Sequence, residues 1–338
     1  MSTLSVPRAF VWRRIHSLMG LWLVLFLIEH LLTNSQAALW LGDNGKGFVD
    51  MVNGIHNLPY LQAVEIFLLG VPILIHGALG IKYLFTSKHN YRKTDGSAPV
   101  MKTGRNRAFS WQRITSWILL IGLILHVAKF RFIDYPEQVQ AGGKTTYLVS
   151  VSMDSGLYTL ADRLNVTLYD TQAVDQLAAK IEERTSEEAL VAVGETMKQQ
   201  EYDWVEGPVP QQYSSQKSII LSSAQNYQSD RRLVEGLQRF HLASGHVVAS
   251  ANDFGTASLL AVRNTFKSPV YAVLYTIFVL AACFHAFNGF WTFLITWGWV
   301  LKMSAQRAWT TVAVVMMLGV IFLGLAAIWG TYWFNLKY

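Results

Sequence analysis

Five stretches of this chain are each long and apolar enough to cross a bilayer, and this constrains its fold more than any other feature. A bilayer core takes about 20 mostly apolar residues per helix. The stretches are residues 14–33, 60–86, 108–130, 268–299 and 309–334. The first is too long for a cleavable signal peptide, and no small-residue cleavage site follows it. Only 15% of the 338 residues are charged, against about 25% in a soluble domain. Yet the mean hydropathy of +0.26 is too low for a chain lying wholly in lipid, so a polar region must offset the apolar stretches. The single cysteine, Cys283, excludes a disulfide framework, a Cys-ligated zinc site and a Cys-ligated iron–sulfur cluster. No C-x-x-C-H run is present, which excludes covalent c-type haem.

The polar region lies between the third and fourth stretches. Residues 129–267 carry 17 acidic and 13 basic side chains, while the rest of the chain carries 15 basic and 5 acidic. YLVSVSM and NVTLYD alternate as strands do, and residues 171–200 read as one or two amphipathic helices. The region has no phosphate loop or metal cluster. The expected fold is an all-α membrane protein, a five-helix transmembrane bundle with a small α+β extracytoplasmic insert between helices three and four. Its expected divisions are residues 1–130 (helices one to three), 131–266 (the insert) and 267–338 (helices four and five). Lys and Arg set the orientation. Arg8, Arg13 and Arg14 precede helix one. Lys88, Arg92, Lys93, Lys102, Arg105 and Arg107 fill the loop between helices two and three, and Lys302 and Arg307 the loop between four and five. The N-terminus is therefore expected in the cytoplasm and the C-terminus outside. The positive charge reports this orientation and no nucleic-acid binding.

Four histidines sit inside apolar stretches, one on each of four consecutive helices: His30, His76, His126 and His285. Ionisable groups inside a membrane are costly, and functional by default. At 1.5 Å per residue, His30 and His126 lie about 24 and 27 Å from the cytoplasmic ends of their helices. His76 and His285 lie about 15 and 20 Å from theirs. The depths pair His30 with His126 and His76 with His285. Two imidazoles at one depth can bind one haem iron from both sides, and two haems stacked across the bilayer give electrons a path. Small residues near the histidines leave room for a macrocycle: Gly77, Gly80, Gly122, Ala281, Ala282, Ala286 and Gly289. The plainer alternative is that each histidine only bonds a neighbouring helix.

The remaining polar candidates divide by depth. At the cytoplasmic end, Arg13, Arg14 and His16 are candidates to hold haem propionates, or serve as positive-inside anchors. At the outer end, Glu29, Asp50, His56 and Glu65 are candidates for proton exchange with a quinone, or are solvated at headgroup level. His89, His241 and His246 read as surface residues, the last two too poorly spaced for a shared metal. No carboxylate lies in the middle of helices three, four or five, so the sequence shows no obvious proton wire across the membrane. Aromatic-rich runs such as FNGFWTFLITWGW and IWGTYWF suit interfacial belts.

RRIHSLMG with FLIEHLLTN, LPYLQAVEIFLLGVPILIHGALG, WQRITSWILLIGLILHV and FHAFNGFWTFLITWG together resemble a known family. It is the single-polypeptide, five-helix, two-haem cytochrome b membrane anchor of succinate dehydrogenases and fumarate reductases. The resemblance covers about 200 residues, all in the membrane part. It implies two b haems with axial ligands His30 and His126 for the distal one, His76 and His285 for the proximal one. It implies a non-catalytic electron-transfer subunit in a bacterial cytoplasmic membrane, embedded in membrane lipid. A flavoprotein subunit carrying the dicarboxylate site and an iron–sulfur subunit would dock on the cytoplasmic face. A quinone, usually menaquinone, would react near the outer face. The polar insert departs from the family, whose corresponding loop is short. Two alternatives stay open: a di-haem cytochrome b of another respiratory complex, of hydrogenase or formate dehydrogenase type, and a haem-free membrane scaffold or transporter.

Overall fold

The computed structural model describes residues 6–38, 45–86, 104–141, 143–183, 191 and 226–337. Lys88, His89, Arg92, Lys93 and Lys102, and the second half of the expected 171–200 helical stretch apart from Val191, lie outside the described residues. The chain divides into two compact units. One is Met1–Ile133 with Thr265–Tyr338, the other Asp134–Asn264.

Among the described residues, the first unit holds five helices long and apolar enough to cross a membrane: Arg8–Ser35, Leu61–Thr86, Gly104–Ile133, Pro269–Thr296 and Met303–Phe334. They are termed spans one to five. Lipid offers the backbone no hydrogen bonds, so each apolar run closes its own as a helix. At 28 residues, span one is about 42 Å long. That exceeds the hydrocarbon core of about 30 Å, and its ends reach headgroup depth.

Local chemistry sets the helix ends. Pro269, at the first turn of span four, lacks only an N–H that would go unused there. That span stops at a Schellman motif. Gly298 adopts φ 76°, its N–H bonds the Ile295 carbonyl at 3.0 Å, and the Trp299 N–H bonds that of Leu294 at 2.9 Å. Phe293 and Trp299 stack edge to face beside it.

Span one packs against spans two, four and five, and span four against spans one, three and five. Small residues permit the close approaches, as is usual between membrane helices. A Cβ on Gly324 would collide with Val279, and one on Gly330 with Ala38. Large apolar side chains elsewhere point outward, Leu74 at 71% exposure and Phe85 at 73%, as suits a surface facing lipid.

Arginines tie one end of the bundle together. Arg14 donates to the Thr296 carbonyl at 3.0 Å, Arg113 to the Leu84 carbonyl at 2.8 Å and Arg105 to Gln306 at 2.8 Å. At the opposite end Arg131 pairs with Glu65 at 2.8 Å. Three spans contain a π-turn, at Ile66–Gly70, Ala128–Ile133 and Ala326–Gly330. All three lie in the half away from the arginine-tied end. In the first, the Leu68 carbonyl accepts the Trp22 indole N–H at 2.5 Å.

The second unit is built on an antiparallel sheet: β1 (Glu137–Ala141), β2 (Lys144–Ser152), β3 (Thr167–Tyr169) and β4 (His246–Ala251), in the order β1-β2-β4-β3. Among the described residues, two helices cover each face. Ser155–Leu164 and Phe254–Thr265 pack Leu157, Ala161, Ala257 and Leu260 against Val149, Val151, Val247 and Ala249. Residues 171–183 and 226–238 bring Val174 and Leu237 to Leu148 and Val248 on the other. Successive strand residues point to opposite faces. With both faces covered, β2 is apolar on both, which accounts for the run YLVSV.

Candidate functional site

The histidines of the first unit fall into two pairs. The rings of His30 (span one) and His126 (span three) lie 5.8 Å apart, centre to centre, at 86°. Those of His76 (span two) and His285 (span four) lie 6.2 Å apart at 82°. A metal–imidazole nitrogen bond is about 2 Å long for zinc. Two such bonds on opposite sides of one ion span about 4 Å, and the rings' own half-widths make up the remainder.

The Nδ1 partners bear on whether these rings could be ligands. His76 Nδ1 lies 2.9 Å from the backbone carbonyl of His16. A carbonyl only accepts, so this nitrogen carries the proton and Nε2 keeps its lone pair. Ser116 gives its hydroxyl proton to the Gln112 carbonyl at 2.7 Å. Its oxygen is then left to accept from His285 Nδ1 at 3.3 Å, and His285 also keeps Nε2 free. His126 Nδ1 is 3.3 Å from the Tyr275 hydroxyl. His30 is held less tightly. The Asn34 amide approaches its Nδ1 only to 3.5 Å and donates instead to its carbonyl at 2.8 Å. Metal-bound histidines usually donate the second ring N–H to such an oxygen, which fixes tautomer and orientation. Among the described residues no group of three or more His, Cys, Asp or Glu could hold a bare ion. Two-histidine pairs suit a metal whose other ligands come from a macrocycle.

Helix one contributes more to the His76 site than its sequence suggests. Gly20 faces His76 so closely that an added Cβ would sit 2.8 Å from its ring. His16 stacks on His76, with ring centres 4.0 Å apart and planes 10° from parallel. Tyr83 closes edge-on over His16 at 5.3 Å. The buried Nδ1 of His16 has no hydrogen-bond partner among the described residues. Of the expected propionate group, then, His16 packs on a member of a histidine pair, while Arg14 turns to Thr296 and over the Phe10 ring. Arg13 is exposed.

Of the small residues expected to make room for a macrocycle, Gly77 faces open space. Gly122 instead seats a side chain, since a Cβ there would collide with the Phe278 ring. Gly20 was not legible as a site residue. Nothing in the run SLMGLW shows which element the glycine meets.

The four outer candidates separate. Glu29 accepts from Thr33 at 2.7 Å, and Asp50 pairs with Lys46 at 2.5 Å on an exposed helix face. His56 and Glu65 share one electrostatic environment with Arg131, which the sequence reading did not single out. Burial holds the His56 pKa below its ordinary 6.5; Glu65 opposes this and Arg131 adds to it. His56 is consequently neutral at pH 7.

No protein-family profile matches this chain, and no solved structure matches it. Over 129 residues it is 36% identical to the succinate dehydrogenase cytochrome b558 subunit of Bacillus subtilis (strain 168). The match takes in 38% of this chain and spans 58% of that relative's length. With five apolar helices beside that similarity, the chain reads as a multi-pass membrane protein similar to a cytochrome b subunit.

Proposed function

We propose that this chain is the membrane-anchoring cytochrome b subunit of a succinate:quinone oxidoreductase, holding two b haems and passing electrons between an iron–sulfur subunit and a quinone, menaquinone in the usual case. The observation that carries this reading is the pair of histidine pairs, each with ring centres about 6 Å apart and drawn from two different spans. The similarity to a cytochrome b subunit supports it independently.

A bound haem supplies a one-electron iron couple, and the protein supplies ligation, depth and electrostatics. His76 and His285 would hold the haem nearer the arginine-tied end, their Nε2 lone pairs kept free by the His16 carbonyl and the Ser116 oxygen. His30 and His126 would hold the other. The arginine-tied end is the surface to which an iron–sulfur subunit and its flavoprotein would dock. At the far end His56, neutral and able to take a proton, and Glu65, paired with Arg131, are the groups suited to proton exchange with a quinone. Succinate and fumarate would interconvert on the flavoprotein, so this chain is an electron-transfer subunit without a dicarboxylate site.

Redox difference spectra of the purified chain test this. Two bis-imidazole b-type haems per chain are expected. His76→Ala or His285→Ala should remove one, and His30→Ala or His126→Ala the other. A chain without b-type bands, or one keeping both haems in all four variants, would overturn the reading. Purification without flavoprotein and iron–sulfur partners would shift it to a cytochrome b of another respiratory complex.

A further inference from the structure

A cavity of about 350 Å³ opens between spans three, four and five, and none of the four paired histidines lines it. Ligand pockets range over about 300–1,000 Å³. Its mouth holds Arg105 and Arg307, at the arginine-tied end. Its depth is apolar, with Phe284, Phe287, Val314 and Met317 among the lining. Along span five the lining extends from Met303 to Met317, about 21 Å at 1.5 Å per residue. One leaflet of a bilayer core is about 15 Å deep. The cavity is thus a slot along the membrane normal, cationic at the surface and apolar through one leaflet.

The polar groups of the slot narrow the occupant. Asn288 donates to Gln112 at 2.7 Å, and Trp291 donates to Asn288 at 3.0 Å, so these wall groups satisfy one another. Thr310 bonds the Gln306 carbonyl within its own helix. An apolar chain therefore meets no stranded donor or acceptor from them. At the mouth Arg105 lies against the Trp291 ring, 5.8 Å from its centre, and one of its nitrogens donates to Gln306 at 2.8 Å. A guanidinium has five N–H donors, so most remain available. Among the described residues no carboxylate pairs with Arg105 or Arg307. Two arginines without an acid, over an apolar slot one leaflet deep, match a phosphate head bearing acyl chains. Basic pockets between membrane helices bind anionic lipid headgroups on this principle.

We infer that this slot is a binding site for an anionic phospholipid, with its phosphate between Arg105 and Arg307 and an acyl chain along Phe287, Val314 and Met317. The test uses the purified full chain in detergent, titrated separately with phosphatidylglycerol and phosphatidylcholine and read by native mass spectrometry. Phosphatidylglycerol is expected to bind about tenfold more tightly, equivalent to about 1.4 kcal/mol. Arg105→Gln with Arg307→Gln should bring it to the phosphatidylcholine level, and Arg105→Lys with Arg307→Lys should keep the preference. Ala108→Phe, which fills the slot, should weaken both lipids. Equal binding of the two lipids overturns the inference, as does a preference that survives the double glutamine variant. Binding that inorganic phosphate abolishes in the wild type but that Ala108→Phe leaves unchanged would reduce the site to a surface phosphate contact and also overturn it. Haem content, read on the same samples, reports separately on the cytochrome reading.

Discussion

At the scale of single residues, Gly20 shows how a side chain can matter by being absent. Its hydrogen is all that separates the span-one backbone from the His76 ring, and the same approach lets His76 reach the His16 carbonyl. A methyl group there must displace a side chain held by a stack and a hydrogen bond. Overpacking of this kind costs about 1–3 kcal/mol. Gly20→Ala is therefore expected to lower the thermal midpoint of the purified chain, while Gly77→Ala, with open space around it, should leave it unchanged. Differential scanning calorimetry of the two variants decides the matter; equal midpoints would mean that the notch does not constrain His76. The four intramembrane histidines could be found from sequence because an imidazole in an apolar run stands out. Gly20, Ser116 and Arg131 could not. A glycine, a serine or a headgroup-level arginine has an ordinary place on any membrane helix, and what distinguishes these three is a partner on another span.

At the scale of elements, the second unit's helix Ser155–Leu164 depends on a residue outside it. Asp154 caps the helix by accepting the Leu157 N–H at 2.9 Å. The same carboxylate takes both terminal nitrogens of Arg263, at 2.9 and 3.0 Å, binding one helix of the layer to the next. The Arg263 side chain is only 11% exposed. A lost cap costs about 0.5–2 kcal/mol, and a lost hydrogen bond to a charged group about 1.5–3 kcal/mol. Asp154→Ala is expected to destabilise the unit by at least about 2 kcal/mol in urea unfolding followed by circular dichroism. Glu235→Ala breaks a pair of the same unit, with Arg231, whose side chains are 62% and 49% exposed, and should change stability by no more than about 1 kcal/mol. A loss at Asp154 as small as that at Glu235 would refute the pairing's importance. YLVSVSM and NVTLYD mark β2 and β3 in the sequence, while β1 and β4 were not legible. EQVQA is too polar to read as a strand, and HVVASA is as apolar as a short helix segment.

At the scale of the whole molecule, the chain combines two solvents' worth of folding. Residues 134–264 have an apolar cluster on each face of their sheet, and a domain of about 130 residues can bury roughly two thirds of its unfolded surface. Expressed alone, that segment is expected to be soluble and to unfold in one cooperative transition, seen as coincident urea curves by far-ultraviolet circular dichroism and by the near-ultraviolet signal of tyrosines such as Tyr147 and Tyr169, which pack in its two clusters. A segment that stays unfolded would tie its fold to the membrane spans. The sequence by itself determined the number of spans among the described residues, their order along the chain and the four histidines, because insertion into lipid depends on the hydropathy of each segment taken alone. It also suggested which histidines share a depth, because helical rise converts residue count into distance. Only the tertiary structure decided which side chains meet: His16 against His76, Ser116 beneath His285, Phe278 in the place that Gly122 leaves, two arginines over one slot. Contacts of this kind join residues up to 282 positions apart in sequence, as Arg14 and Thr296 are. They follow from the way helices pack, which no single segment's hydropathy specifies.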